Sequence, residues 1–171
     1  MKEINIIDFG LMGKQISALF YLLGYEIGVY NKSKLNIYEF EKQIKLLQRK
    51  IDFSNFNAGK INIYQHIEDL KNSLTIESLN EDLNLKKEIM QILRDNNIVF
   101  SNSSSLSMDD LNCDFIHFFN TIYIKLIELC GSNLERFTPL KDLKKLGFHI
   151  ICSKGNRGAL ANLLLFNEIS S

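Results

Sequence analysis

The stretch INIIDFGLMGKQIS, Ile4 to Ser17, decides the fold. Its first residues read as a buried strand, Gly10 as a turn and Leu11 onward as a helix, the layout that sets a pyrophosphate against a helix N-terminus. In that layout one glycine permits the tight turn, a second lets the backbone approach the pyrophosphate, and a third lets helix and strand pack closely. Gly10 and Gly13 supply the second and third roles, while Asp8 stands where the first glycine belongs. Aspartate tolerates a left-handed turn at some cost, but its carboxylate repels a pyrophosphate unless a cation intervenes, and Lys14 is the candidate for that charge. The second strand ends in VYNKSK, where Asn31 takes the place of the ribose-binding acid. Gly10, Leu11, Met12, Gly13 and Asn31 are therefore the candidate dinucleotide residues. Lys32 and Lys34 make that neighbourhood basic, so a 2′-phosphate is admissible and NADP is not excluded beside NAD.

Outward from this turn, strand-like and helix-like segments alternate. YEIGVY follows a break at Gly24, a long helix covers IYEFEKQIKLLQRKI, and KINIY, SLTIES and NIVFS are strands, with a helix over LKKEIMQILR. Alternation of this kind predicts an α/β, Rossmann-like doubly wound, mostly parallel sheet. After a short helical turn at SMDDL come FIHFF, IKLIELC and FHIICS, with a helix from about Asn133 to Leu146 between the last two. A connection as short as NTIY cannot make a parallel crossover and must be a hairpin, so the C-terminal half is mixed. RGALANLLLFNEI reads as an apolar helix over about 157–169, with Leu160, Leu163, Leu164 and Ile169 on one face, suited to homo-oligomer formation. One domain over 1–171 is expected.

Composition narrows the partners. Twenty basic residues balance twenty acidic ones, so nothing draws the chain toward nucleic acid or anionic membrane. No apolar run is long enough to span a bilayer and no signal-peptide layout opens the chain, which predicts a cytoplasmic protein. Cys113, Cys130 and Cys152 are widely spaced in apolar contexts and read as buried free thiols, and no metal site is expected.

GLMGKQIS, ESLNEDLNLKKEI, SNSSSLS, HFFN and KLIEL follow one another in the order and at nearly the spacing of the NAD-binding domain of 3-hydroxyacyl-CoA dehydrogenases, which the chain resembles over almost its whole length. The pair SNSSSL and HFFN is the specific part. The resemblance implies an oxidoreductase that exchanges a hydride between the C3 hydroxyl of a 3-hydroxyacyl-CoA and NAD, in fatty acid metabolism. It matches Ser104, His117, Glu128 and Asn162 to the catalytic serine, histidine, glutamate and asparagine. It further implies that Glu81, Asn120 and Ser104 contact the cofactor, and that Lys86 and Ser104 contact the coenzyme A substrate. The chain departs from the family at Asp8, at Asn31, and at Thr121, where the family has proline. The second, all-helical domain of the family is not expected within these 171 residues.

The residue types fit that chemistry by themselves. Oxidising a secondary alcohol needs a base for the hydroxyl proton, and histidine is the side chain matched to neutral pH. A carboxylate on the other ring nitrogen fixes the tautomer and stabilises the imidazolium, and Glu128 reaches His117 across a hairpin. The blander readings stand beside it: His117 as a satisfied core residue, SNSSS as a polar loop with Ser107 as an N-cap, and the whole chain as a non-catalytic nucleotide- or coenzyme A-binding or interaction domain. His66 and His149 match no motif and are expected to be structural or solvent-facing.

Overall fold

A computed structural model of the chain describes residues 2–32, 36–93 and 97–154. The chain runs β1 (Glu3–Ile7), α1 (Leu11–Leu22), β2 (Glu26–Tyr30), α2 (Ile37–Gln48), β3 (Lys60–Tyr64), β4 (Leu74–Glu77), α3 (Leu83–Leu93), β5 (Ile98–Ser101), α4 (Met108–Leu111), β6 (Asp114–Phe118), β7 (Leu126–Cys130), α5 (Leu140–Lys145) and β8 (His149–Ser153). The strands form one sheet in the order β3-β2-β1-β4-β5-β6-β7-β8. Neighbours are parallel except β6 and β7, which pair antiparallel, and β8 returns parallel to β7. This is the doubly wound sheet with a mixed C-terminal half that the alternation predicts.

The strand order reverses between β1 and β4, and ligands of doubly wound sheets bind outside the carboxyl ends of the strands at such a point. β1 can sit in the middle because Ile4, Ile6 and Ile7 are apolar toward both faces and fully buried. One face carries the main core, where Ile16, Leu19 and Phe20 of α1 and Leu143 of α5 pack with Ile6, Val29, Phe118 and Leu129. Ile89 and Leu93 of α3 cover Ile7 on the opposite face, and farther along Leu111 of α4 packs with Phe115 and Cys130. Gly13 is where α1 lies closest to the sheet: a Cβ there would collide with the backbone carbonyl of Asp8 and come within 2.9 Å of Ser78 Oγ.

Two expectations need correction. The helix anticipated over Asn133–Leu146 is a single 3-10 turn, Leu134–Arg136, followed by α5 from Leu140. Pro139 divides them, because it offers no amide and disfavours helical backbone at Thr138. No disulfide joins the three cysteines, and only Cys130 is buried; Cys113 is half-buried and Cys152 exposed. Cys152 is outside because β8 is an edge strand with a largely exposed surface. The expected terminal helix lies outside the described residues, and among those described no helix is long and apolar enough to cross a membrane.

Candidate functional site

The glycine turn is closed by its own side chains. Asp8 adopts φ 75°, a left-handed conformation that costs an L-residue about 1 kcal/mol. Its amide donates to Tyr30 O at 2.9 Å, and its carboxylate Oδ2 accepts the Gly10 amide at 3.1 Å. The neighbouring Phe9 amide donates to Asn31 Oδ1 at 3.2 Å. The position that reads as a ribose ligand in sequence is thus also a tie between the end of β2 and the turn. Leu11 stands 64% exposed at the head of α1, Met12 is half-buried, and no side chain caps the helix at Gly10.

Each residue of Ser101–Ser104 has a definite task. Ser101 Oγ donates to Glu77 Oε2 at 2.6 Å. The Asn102 amide donates to Glu77 O at 2.7 Å, and its carboxamide Oδ1 accepts the Phe118 amide at 3.0 Å. Asn102 so extends the β5–β6 pairing beyond its last register partner, Ser101–Phe115, and fixes the strand end that carries His117. Ser103 Oγ donates to Glu81 Oε2 at 2.6 Å, and the Ser104 amide and hydroxyl approach Glu81 Oε1 at 2.8 and 3.4 Å. Burial pushes the Glu81 carboxyl upward, but the bonds from Ser103 and Ser104 and the nearby Lys86 charge outweigh it and hold the group below the usual carboxylate range. Glu81 is an ionised clamp on the Ser104 loop. Ser107 then caps α4 in a reciprocal capping box with Asp110, as its spacing predicts.

Lys86 corrects an expectation. Its ammonium is fully buried and bonds both oxygens of Glu77, at 2.8 and 3.0 Å. A cation spent in this way is out of reach of coenzyme A; it lies beneath the site and acts there through charge.

His117 and Glu128 are direct cross-strand partners in the antiparallel β6–β7 register. Opposed residues share one face with Cβ atoms roughly 5 Å apart. By the period-two alternation, that face is the one bearing Phe115 and Cys130, opposite the main core. The Phe119 ring closes against the imidazole, with centroids 4.2 Å apart at 72°. Burial lowers the His117 pKa from its ordinary 6.5, while the charges of Glu128 and Glu81 oppose that shift without cancelling it. The ring is therefore neutral at neutral pH. Its Nδ1 is buried without a hydrogen-bond partner among the described residues, and such atoms in folded proteins ask for a ligand or a water. Glu128, 1% exposed, accepts Ser153 Oγ at 3.3 Å from β8.

The carboxyl ends of the strands thus form a bonded rim. The Ser78 amide ties β4 to Ile7 O of β1 at 3.0 Å, Glu77 and Glu81 tie β4 to the serine loop, and Asn102 ties that loop to β6. Ser104, Glu81, His117 and Glu128 belong to this rim. Asn120, exposed with φ 35°, turns the chain just past it, its carbonyl accepting the amides of Tyr123 and Ile124. Thr121, buried, leaves its hydroxyl without a partner among the described residues. Asn162 lies outside the described residues, as does Lys34. His66 and His149 are exposed. The sequence reading assigned no work to Glu77, Ser101, Asn102 and Ser103; the signal available was four polar residues directly after an apolar strand.

Residues 3–144 match the protein family described as 3-hydroxyacyl-CoA dehydrogenase, NAD binding domain. Over 157 residues the chain is 27% identical to a 3-hydroxybutyryl-CoA dehydrogenase of Clostridioides difficile, covering 77% of this chain and 55% of the relative. It spans about half the length of that curated relative. Among solved structures, the (S)-3-hydroxybutyryl-CoA dehydrogenase of Ralstonia eutropha superposes with a TM-score of 0.75 at 20% identity, covering 98% of this chain and 70% of that one. An NAD+ dependent dismutase, 5-formyl-3-hydroxy-2-methylpyridine 4-carboxylic acid 5-dehydrogenase, gives 0.79 at 19%, covering 99% and 63%. At such identities the structures speak to the fold.

Proposed function

Because the chain belongs to the 3-hydroxyacyl-CoA dehydrogenase NAD-binding domain family, we propose that it oxidises the C3 hydroxyl of a 3-hydroxyacyl-CoA with NAD as acceptor. The observation that carries this reading is the His117–Glu128 register pair, a neutral, half-buried imidazole whose buried Nδ1 has no partner among the described residues, opposite a buried carboxylate. The dinucleotide fits on shape: Gly13 lets α1 approach the sheet as no other residue would, Gly10 is exposed, and the α1 amides carry no side-chain cap. Gly10, Leu11, Met12 and Gly13 would face its phosphates, which come into contact with the turn only once the Asp8 side chain leaves the Gly10 amide, and Glu81, Ser104 and Asn120 would face its nicotinamide end. When bound, NAD supplies the hydride acceptor. His117 accepts the hydroxyl proton on a ring nitrogen as the C3–H bond gives up its electron pair, and Glu128 steadies the imidazolium that results. Ser104, its loop clamped by Glu81, donates a hydrogen bond to the substrate oxygen, and Asn162 is proposed to do the same. Asn31 carries no charge to repel a 2′-phosphate and Lys32 is exposed beside it, so NADP remains admissible.

A second reading, a diverged nucleotide- or coenzyme A-binding domain without turnover, is favoured by the Asp8 carboxylate on the Gly10 amide. One experiment separates the two. Purified protein is given NAD and 3-hydroxybutyryl-CoA, and nicotinamide reduction is followed by absorbance. Turnover that falls by roughly 10²–10⁴ in His117→Gln, the usual worth of a general base, supports the enzyme. NADH binding without turnover sinks it in favour of the second reading.

A further inference from the structure

The geometry points to Asp8 as the residue that sets the ligand selectivity of the turn, its carboxylate standing on the Gly10 amide where a phosphate oxygen would bind. The inference rests on the reading of the domain as a dinucleotide site and concerns which half of the dinucleotide it grips. A Cβ built on Gly10 would lie 2.9 Å from Asp8 Oδ2, so the carboxylate lies against the bare face that a glycine leaves open for a ligand. Rearranging the backbone does not remove it. The Asp8 amide is bonded to Tyr30 O, and its carbonyl is pressed under Gly13. Among the described residues no ion pair includes Asp8. With the Phe9 amide held by Asn31 Oδ1, two successive amides of the turn are consumed by side-chain oxygens, one of them charged.

A pyrophosphate must displace that carboxylate and remain beside it, whereas adenosine carries no charge for the carboxylate to repel. The turn therefore discriminates against the phosphates. The dinucleotide is gripped by its ends, and the phosphate contribution that this layout ordinarily provides is absent until the Asp8 side chain rotates away.

Calorimetric titration of the full chain with adenosine, ADP and NADH tests this in the wild type, in Asp8→Asn and in Asp8→Gly. Asparagine keeps the oxygen acceptor and tolerates the left-handed backbone while removing the charge; glycine removes both the side chain and the strain. The wild type is expected to bind ADP no more tightly than adenosine. In each variant the preference for ADP should rise by roughly tenfold or more, because like charges about 4 Å apart at a protein surface oppose binding by more than one decade of affinity. Adenosine affinity should stay unchanged. A tenfold ADP preference already present in the wild type, or one unchanged in Asp8→Asn, overturns the proposal alone if NADH still binds. Failure of all three proteins to bind any of the three ligands overturns it together with the dinucleotide reading.

Discussion

At the scale of the residue, His117 shows how the sheet makes a base. Its neutrality arises from burial, against which the Glu128 and Glu81 charges work. Removing the Glu128 charge should therefore lower the His117 pKa further, and NMR titration of the imidazole in Glu128→Gln reads this; an unchanged or higher value would show that the carboxylate does not act on the ring. The same shift enters stability. The unfolded ring titrates near its ordinary 6.5 and the folded ring below it, so between those values the unfolded state binds more protons and stability falls as pH falls. The contribution is complete above about pH 6.5 and is lost as pH drops toward the folded value. His117→Gln should flatten that slope in urea unfolding measured across the window. The histidine itself was legible as a candidate from its apolar strand and HFFN. That its Nδ1 finds no bond among the described residues was not, because satisfaction depends on what other segments bring to one face.

Among the elements, α3 is fastened to β4 by a contact that no periodicity announces. The sequence ESLNEDLNLKKEI shows two lysines in a row, Lys86 and Lys87, of which the first is fully buried and the second exposed. Helical spacing decides between them: Lys86 falls on the face shared with Ile89, Met90 and Leu93. There it meets Glu77. Removing one partner of a buried pair leaves the other charge uncompensated. Lys86→Ala should cost about 3–5 kcal/mol in urea unfolding, while Lys86→Met with Glu77→Gln should recover much of the loss. Equal losses in the single and double variants would show that the pair stabilises by mutual attraction instead. A wrongly assigned role for Lys86 has the same origin as the error over Asn133–Leu146. Charge type and pattern were visible, but the partner 9 residues upstream and the break at Pro139 are matters of tertiary geometry. The capping box at Ser107, a purely local device, was readable without the fold.

For the whole molecule, the reversal at β6–β7 governs both the site and the outer surface. It places His117 opposite Glu128, and it carries the sheet onward to β8, whose residues His149, Ile151 and Cys152 are exposed. A few residues after β8, beyond the polar stretch KGNRG, the sequence becomes strongly apolar, with Leu160, Leu163, Leu164 and Ile169 at helical spacing. Monomers seldom expose more than a few hundred Å² of contiguous apolar surface without a use for it, so this part of the chain is proposed to join two copies about a two-fold axis. Cys152 reports on that event because it lies close to the apolar segment in sequence, whereas Cys130 is buried and burial pushes the Cys113 thiol up to about 12, a state inert to thiol reagents. In a native dilute solution one thiol per chain should react quickly, and all three only in denaturant. As concentration rises into the high micromolar range, light scattering should report twice the chain mass and Cys152 labelling should slow in step with it. A mass that stays at one chain, with labelling independent of concentration, would remove the two-fold association. A doubled mass with Cys152 still fast would move the interface away from the β8 edge and the segment that follows it.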